Sequence, residues 1–191
     1  MTGENGTGSD TTAAPSVAAR DDLAGVVDLF DWLTRAELSH ALSELAYKKR
    51  AEVDDDAIAA AIDVAVAEYT LVPAPPEALT EDGTEPTAVD DPDDGLDADG
   101  VALAVGPAAF PSLPDDAADL PHILDVPERG VDRAVLSEAV LARLSTDAVS
   151  AISESDVDRL EVLADVTYDI EAWAPVDATA IRDRIVAELD D

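Results

Sequence analysis

A mainly α fold is predicted for this 191-residue chain by three observations. Residues 34–72 read as two amphipathic helices running into a strand. A second short apolar run, Val101 to Val105, follows a long acidic loop. After residue 130, three further stretches repeat apolar residues at helical spacing. Three helices, a strand, a loop and a returning strand form the order of a winged helix. The expected architecture is therefore a winged-helix-like three-helix unit with a two-stranded wing, plus a helical C-terminal half packed against it. The domain boundaries that follow are a tail over 1–20, the winged-helix-like unit over 21–110 and the helical half over 111–191.

Residues 1–18 are rich in Gly, Ser, Thr and Ala and read as a disordered tail. Asp21 or Asp22 is expected to cap a first helix carrying Leu23, Val26, Val27 and Phe30 on one face. Trp32 and Leu33 fall in the corner before the next helix, with Trp32 as a plug between the two. Thr34 and Glu37 match a capping box, in which hydroxyl and carboxylate each take a free backbone N–H. Leu38, Ala41, Leu42, Leu45 and Lys49 then share one face, and His40, Ser43 and Tyr47 the other. Asp54 opens a third helix, with Asp55 and Asp56 where the helix dipole favours negative charge. Val53 and Ile58 are spaced as a hydrophobic staple, and Ile58, Ile62, Ala65, Val66 and Tyr69 form the buried stripe. Leu71-Val72 and Val101 to Val105 are the two expected wing strands, and Pro73 is expected to end the pairing. Between them, 73–100 is dense in Pro, Gly and acid and reads as a mobile loop.

Proline punctuates 110–130, an irregular connector with a turn of helix expected at Asp115 to Leu120. One helix is expected from Asp132 to about Leu144, with a break at Ser145 and a continuation to Ile152. A second is expected over Asp156 to Asp165, with Val157, Leu160, Leu163 and Ala164 buried. Residues 167–176 read as a linker. A third helix is expected from Asp177, with Ile181, Ile185 and Leu189 four residues apart. Arg133 to Ala139 echoes Arg35 to Ala41, as two helices drawing on the same residue types.

Charge sets the strongest compositional constraint. Forty-four acidic residues against 11 basic ones leave a formal net of −33. Such self-repulsion opposes compaction in ordinary buffer and is relieved by salt. Lys48 and Lys49 are the only lysines among the basic residues. An acid-rich, lysine-poor chain rich in Ala and Val has the pattern of a protein from a salt-accumulating cytoplasm. There is no cysteine, which excludes disulfides and thiolate metal sites. No run is long enough to span a bilayer and no signal-peptide core precedes the first helix, so a cytoplasmic location is expected.

No enzyme signature, metal-ligand spacing or cofactor motif stands out. The acidic loop does not satisfy an EF-hand, because Gly95 and Gly106 fall where the first and twelfth ligands belong. His40 and His122 are far apart. Two function classes remain. The first is a non-enzymatic protein-interaction module using His40, Ser43 and Tyr47, a helical face short of the acids found elsewhere. That face either packs on the C-terminal half or meets another protein, and Tyr47 is expected to be partly buried in the functional assembly. The alternative is a DNA-binding regulator, requiring a basic patch of Arg35, Lys48, Lys49 and Arg50. The carboxylates of the third helix oppose this alternative, since they would face phosphates.

The stretches DLAGVVDLFDWLTRAELSHALSELAYKK, VGPAAFPSLPDDAADLPHILDVPERGVDR and VTYDIEAWAPVD resemble a family of uncharacterised proteins from halophilic archaea. The resemblance covers most of the chain from about Asp22, apart from the acidic loop. It implies the salt-rich compartment and a single architecture, and it carries no activity, cofactor or site residue.

Overall fold

A computed structural model describes residues 17–49, 54–81 and 99–190. The expected tail falls almost wholly, and the centre of the acidic loop wholly, outside these residues, as do Arg50 and the staple residue Val53. Among the described residues there are seven α-helices: α1 (Val17–Asp28), α2 (Arg35–Lys48), α3 (Asp55–Ala67), α4 (Leu120–Leu124), α5 (Arg133–Glu154), α6 (Val157–Trp173) and α7 (Thr179–Leu189). Five short strands accompany them: β1 (Trp32–Thr34), β2 (Leu71–Pro73), β3 (Leu79–Glu81), β4 (Ala102–Val105) and β5 (Arg129–Val131).

The local signals of α2 and α3 operate as expected. Thr34 Oγ1 accepts the Glu37 N–H at 3.2 Å, and the Glu37 carboxylate accepts the Thr34 N–H at 2.8 Å, so the capping box is complete. Asp54 caps α3 through its carboxylate. Leu38, Ala41 and Leu45 of α2 meet Ile58, Ile62, Ala65 and Val66 of α3 in one core, which Leu23, Val26 and Val27 of α1 and Phe30 in the turn after it complete.

β2 and β4, the two strands expected from the apolar runs, pair antiparallel in the register Leu71↔Val105. The sheet has a third strand, however, because β1 pairs with the other edge of β4 and the order is β1-β4-β2. Trp32 is therefore a strand residue, not a corner plug. Pro73 lies opposite Leu103 within the pairing. It is tolerated because β2 is an edge strand and Pro lacks only a donor that an edge can spare. The sheet divides two cores through its alternating side chains. Leu33, Leu71 and Leu103 enter the first core. Trp32, Val72, Ala102 and Ala104 enter a second, shared with Leu136, Val140 and Leu144 of α5, Leu160, Leu163 and Ile170 of α6 and Ile185 of α7.

Elsewhere the elements run longer than their sequence markers. α1 begins at Val17, ahead of Asp21 and Asp22, since Val17-Ala18-Ala19 extends it. α5 continues unbroken through Ser145, because Leu144, Ala148 and Ala151 keep the buried face in phase. α6 absorbs the expected linker to Trp173, with Val166, Thr167 and Ile170 prolonging the stripe of Leu160 and Leu163. Val157, expected inside, is 54% exposed at the first turn of α6. α7 starts at Thr179, and the Asp177 carboxylate accepts the Thr179 N–H at 2.9 Å. Within the expected loop and connector, β3 and β5 form a separate two-stranded sheet in the register Thr80↔Gly130. Ala117 and Leu120 of the connector pack into the first core.

Candidate interaction surface

α2 buries one face and leaves the other open. It packs mainly against α1, α3, α4 and β1. On the outer face, His40 Nε2 lies 3.6 Å from Glu44 Oε1 one turn on, with His40 exposed and Glu44 partly so. Ser43 turns its hydroxyl back to donate to the Ser39 carbonyl at 2.9 Å. Tyr47, at the last turn, is 81% exposed. The C-terminal half does not cover this face, contrary to one of the two expectations for it.

The residues of the expected basic patch are not brought together. Arg35 is 6% exposed and turns inward, pairing with Asp63 and donating to the Ala59 carbonyl at 3.3 Å. Its charge fastens α2 to α3 and offers nothing to a phosphate. Lys48 Nζ donates to Asp119 Oδ2 at 3.3 Å and to the Asp116 carbonyl at 3.4 Å, holding the connector. Lys49 is exposed at the C-cap, and Arg50 lies outside the described residues. α3, the helix that would face a DNA groove in this order of elements, presents Asp55, Asp56 and Asp63 to solvent.

Two polar clusters that sequence reasoning missed join the halves. In the first, Arg129 grips Glu37 with two hydrogen bonds of 2.7 and 2.9 Å, and its guanidinium sits 3.9 Å from the centre of the Trp32 ring. The pair spans β5 and α2. Burial pushes the Glu37 carboxyl up, but Arg129 and the Thr34 N–H outweigh it and hold the group below 4.5. In the second, the buried Tyr69 hydroxyl donates to Asp147 Oδ2 at 2.7 Å. Arg143 and Arg159 donate to the Val66 and Ala67 carbonyls at 2.8 and 2.6 Å, where the C-terminal end of the α3 dipole favours cations. Arg143 also lies 4.3 Å from the centre of the Tyr69 ring. Burial pushes the Tyr69 hydroxyl well above its usual 10.0, against the opposing charge of Arg143. Tyr69 takes a left-handed φ of 62°, uncommon for a bulky residue, and this turn delivers its ring to the second core. The bonded residues lie 77 to 97 positions apart in several cases, beyond any local pattern.

His122 is exposed in the last turn of α4. Among the described residues no group of three His, Asp or Glu side chains is placed to hold a metal ion, and no helix is long and apolar enough to cross a membrane.

A family model described as a family of unknown function (DUF7109) matches residues 21–190. No curated protein and no solved structure matches the chain.

Proposed function

We propose that this chain, which belongs to the DUF7109 family of unknown function, is a non-enzymatic protein-interaction module. It acts in the cytoplasm of a salt-accumulating cell, a setting supported by the net charge of −33 and the scarcity of lysine. The carrying observation is Tyr47, an aromatic side chain left 81% exposed on a helical face with His40 and Ser43. Aromatic residues contribute more binding energy per residue than most when an interface covers them. Exposure to solvent has no evident structural use in a chain with so few aromatics.

The test is capture of proteins from lysate at native salt, with and without nuclease, by the parent and by Tyr47→Asp. At this exposure the variant should melt within about 0.5 kcal/mol of the parent. Loss of the captured proteins by that variant, with no effect of nuclease, is the expected result. Retention of the same partners would sink the assignment.

One observation favours the alternative, a DNA-binding regulator. Three helices precede a β2–β4 pair in a sheet of order β1-β4-β2, with β3 inserted between β2 and β4 in the chain, and this order supports a winged-helix-like reading. The burial of Arg35 and the carboxylates of α3 weigh against it, since nucleic-acid affinity rests on phosphate neutralisation. Shape alone does not decide the ligand, because a winged-helix-like arrangement would serve protein contacts as well. Capture that nuclease abolishes would favour this alternative.

A further inference from the structure

The outer face of α2 carries Ala36, His40, Ser43 and Tyr47 in steps of four, three and four residues, the spacing of a seam between two paired helices. Ala36, His40 and Tyr47 are exposed, and Ser43 is half-buried. Charge is placed unevenly along this face. Lys49 stands exposed on the C-cap, at the C-terminal end. At the N-terminal end the Asp99 carbonyl accepts the Ala36 N–H at 3.1 Å, which sets the exposed Asp99 beside the first turn. Glu44, the acid between these ends, has its Oε1 3.6 Å from His40 Nε2. The face thus holds an anion at one end and a cation at the other.

We propose that this face pairs with the same face of a second copy of the chain, the two α2 helices running antiparallel about a two-fold axis. The inference rests on the reading of α2 as a contact face and names its partner. Reversal about an axis between Ala41 and Leu42 sets Tyr47 of each copy opposite Ala36 of the other, so a large ring meets a small side chain. It sets His40 opposite Ser43, Glu44 opposite Ser39 and Glu37 opposite Ala46, so no carboxylate of α2 faces another. It also brings Lys49 of each copy to the end that holds Asp99 of the other, and it opposes the two helix dipoles. Such an isologous contact needs one self-complementary patch, and the two ends of α2 supply it. A chain of net charge −33 repels its own copies over most of its surface. Molar salt shortens that repulsion to about 3 Å, and a face short of acid is where contact remains. A basic partner would be drawn instead to the acid-rich faces elsewhere.

The test is sedimentation equilibrium of the full chain in molar potassium chloride, up to about 0.5 mM, because a contact of one helix face belongs to the small, weak class of interfaces. The mass should rise toward two copies. Tyr47→Asp should hold it at one copy and, in dilute solution, melt with the parent, since Tyr47 is exposed in the single chain. Register is read with introduced cysteines, since the chain has none of its own. His40→Cys mixed with Ser43→Cys should oxidise to a linked pair holding one chain of each. Ala36→Cys alone should give no linked pair, because reversal sets its two copies about 16 Å apart along the helix axis, beyond the reach of a disulfide. A mass of one copy at the highest concentration, an undiminished mass for Tyr47→Asp, or a linked Ala36→Cys pair would overturn the proposal. A chain that stays single yet captures lysate proteins through Tyr47 would sink the self-pairing and leave α2 as a contact face.

Discussion

Glu37 serves two structures at once. Its carboxylate closes the N-terminal cap of α2 and receives both arms of Arg129 from β5. Its folded pKa lies below the ordinary 4.5 that it has in the unfolded chain. An acid shifted down in the fold contributes stability that is fully present above the unfolded value and fades as pH falls through the folded one. The unfolding free energy should therefore drop below pH 4.5, and Glu37→Gln should flatten that part of the profile. At neutral pH the same variant should cost about 2 kcal/mol, the scale of a lost hydrogen bond to a charged group. Denaturant melts at fixed salt across this pH range measure both effects. An unchanged profile in the variant would show that Arg129 does not hold Glu37 ionised. Tyr69 works in the opposite sense: its raised hydroxyl favours the fold below pH 10.0, and that contribution is lost as pH rises beyond it.

At the scale of elements, α1 sets two rules against each other. Gly25 lies inside the helix, where Ala would be better by about 1 kcal/mol on propensity alone. Yet a Cβ at this position would lie 2.0 Å from the Ser112 carbonyl oxygen. The connector is held there by the Ser112 N–H, which donates to the Asp21 carbonyl at 3.0 Å. The clash involves backbone rather than a flexible side-chain end, and overpacking of this kind costs about 1–3 kcal/mol or more. The clash should win, so Gly25→Ala should lower the melting temperature. A rise would mean that the connector yields and that propensity governs the helix. The absence of a Cβ is thus a packing requirement, and it places the connector against the first core.

Across the whole molecule, scarce cations are set at the joints. Arg20 pairs with Glu68, Arg35 with Asp63, Arg129 with Glu37, Arg143 and Arg159 with Asp147, and Arg182 with Glu171. Most exposed charge is left negative. Raising salt weakens both the attractions and the repulsion, but unequally. The pairs are partly buried and screened less, whereas exposed carboxylates feel the full drop in screening length from about 10 Å at 0.1 M to about 3 Å at 1 M. The melting temperature should rise with potassium chloride across this range. A flat or falling curve would show that the arginine pairs, and not self-repulsion, dominate the salt response.

The sequence by itself determined the elements whose signals lie within a few residues. The Thr34–Glu37 cap, the Leu38-Ala41-Leu45 stripe, the Asp54 cap and the apolar strands about Val72 and Leu103 all belong to this group. Each depends on periodicity or capping, which act over one helical turn or one strand. Tertiary structure decided what depends on distant partners. Trp32–Thr34 becomes a strand because β4 lies alongside it, and residues 167–173 stay helical because their apolar side continues into the second core. The candidate surface divides in the same way. The composition of the His40-Ser43-Tyr47 face was legible, but its exposure depended on where the C-terminal half docked. Arg35 looked available to a ligand until Asp63, 28 residues away, placed it inside. A local sequence pattern specifies which atoms a helix presents; the fold specifies which opposite charges and apolar surfaces stand across from them.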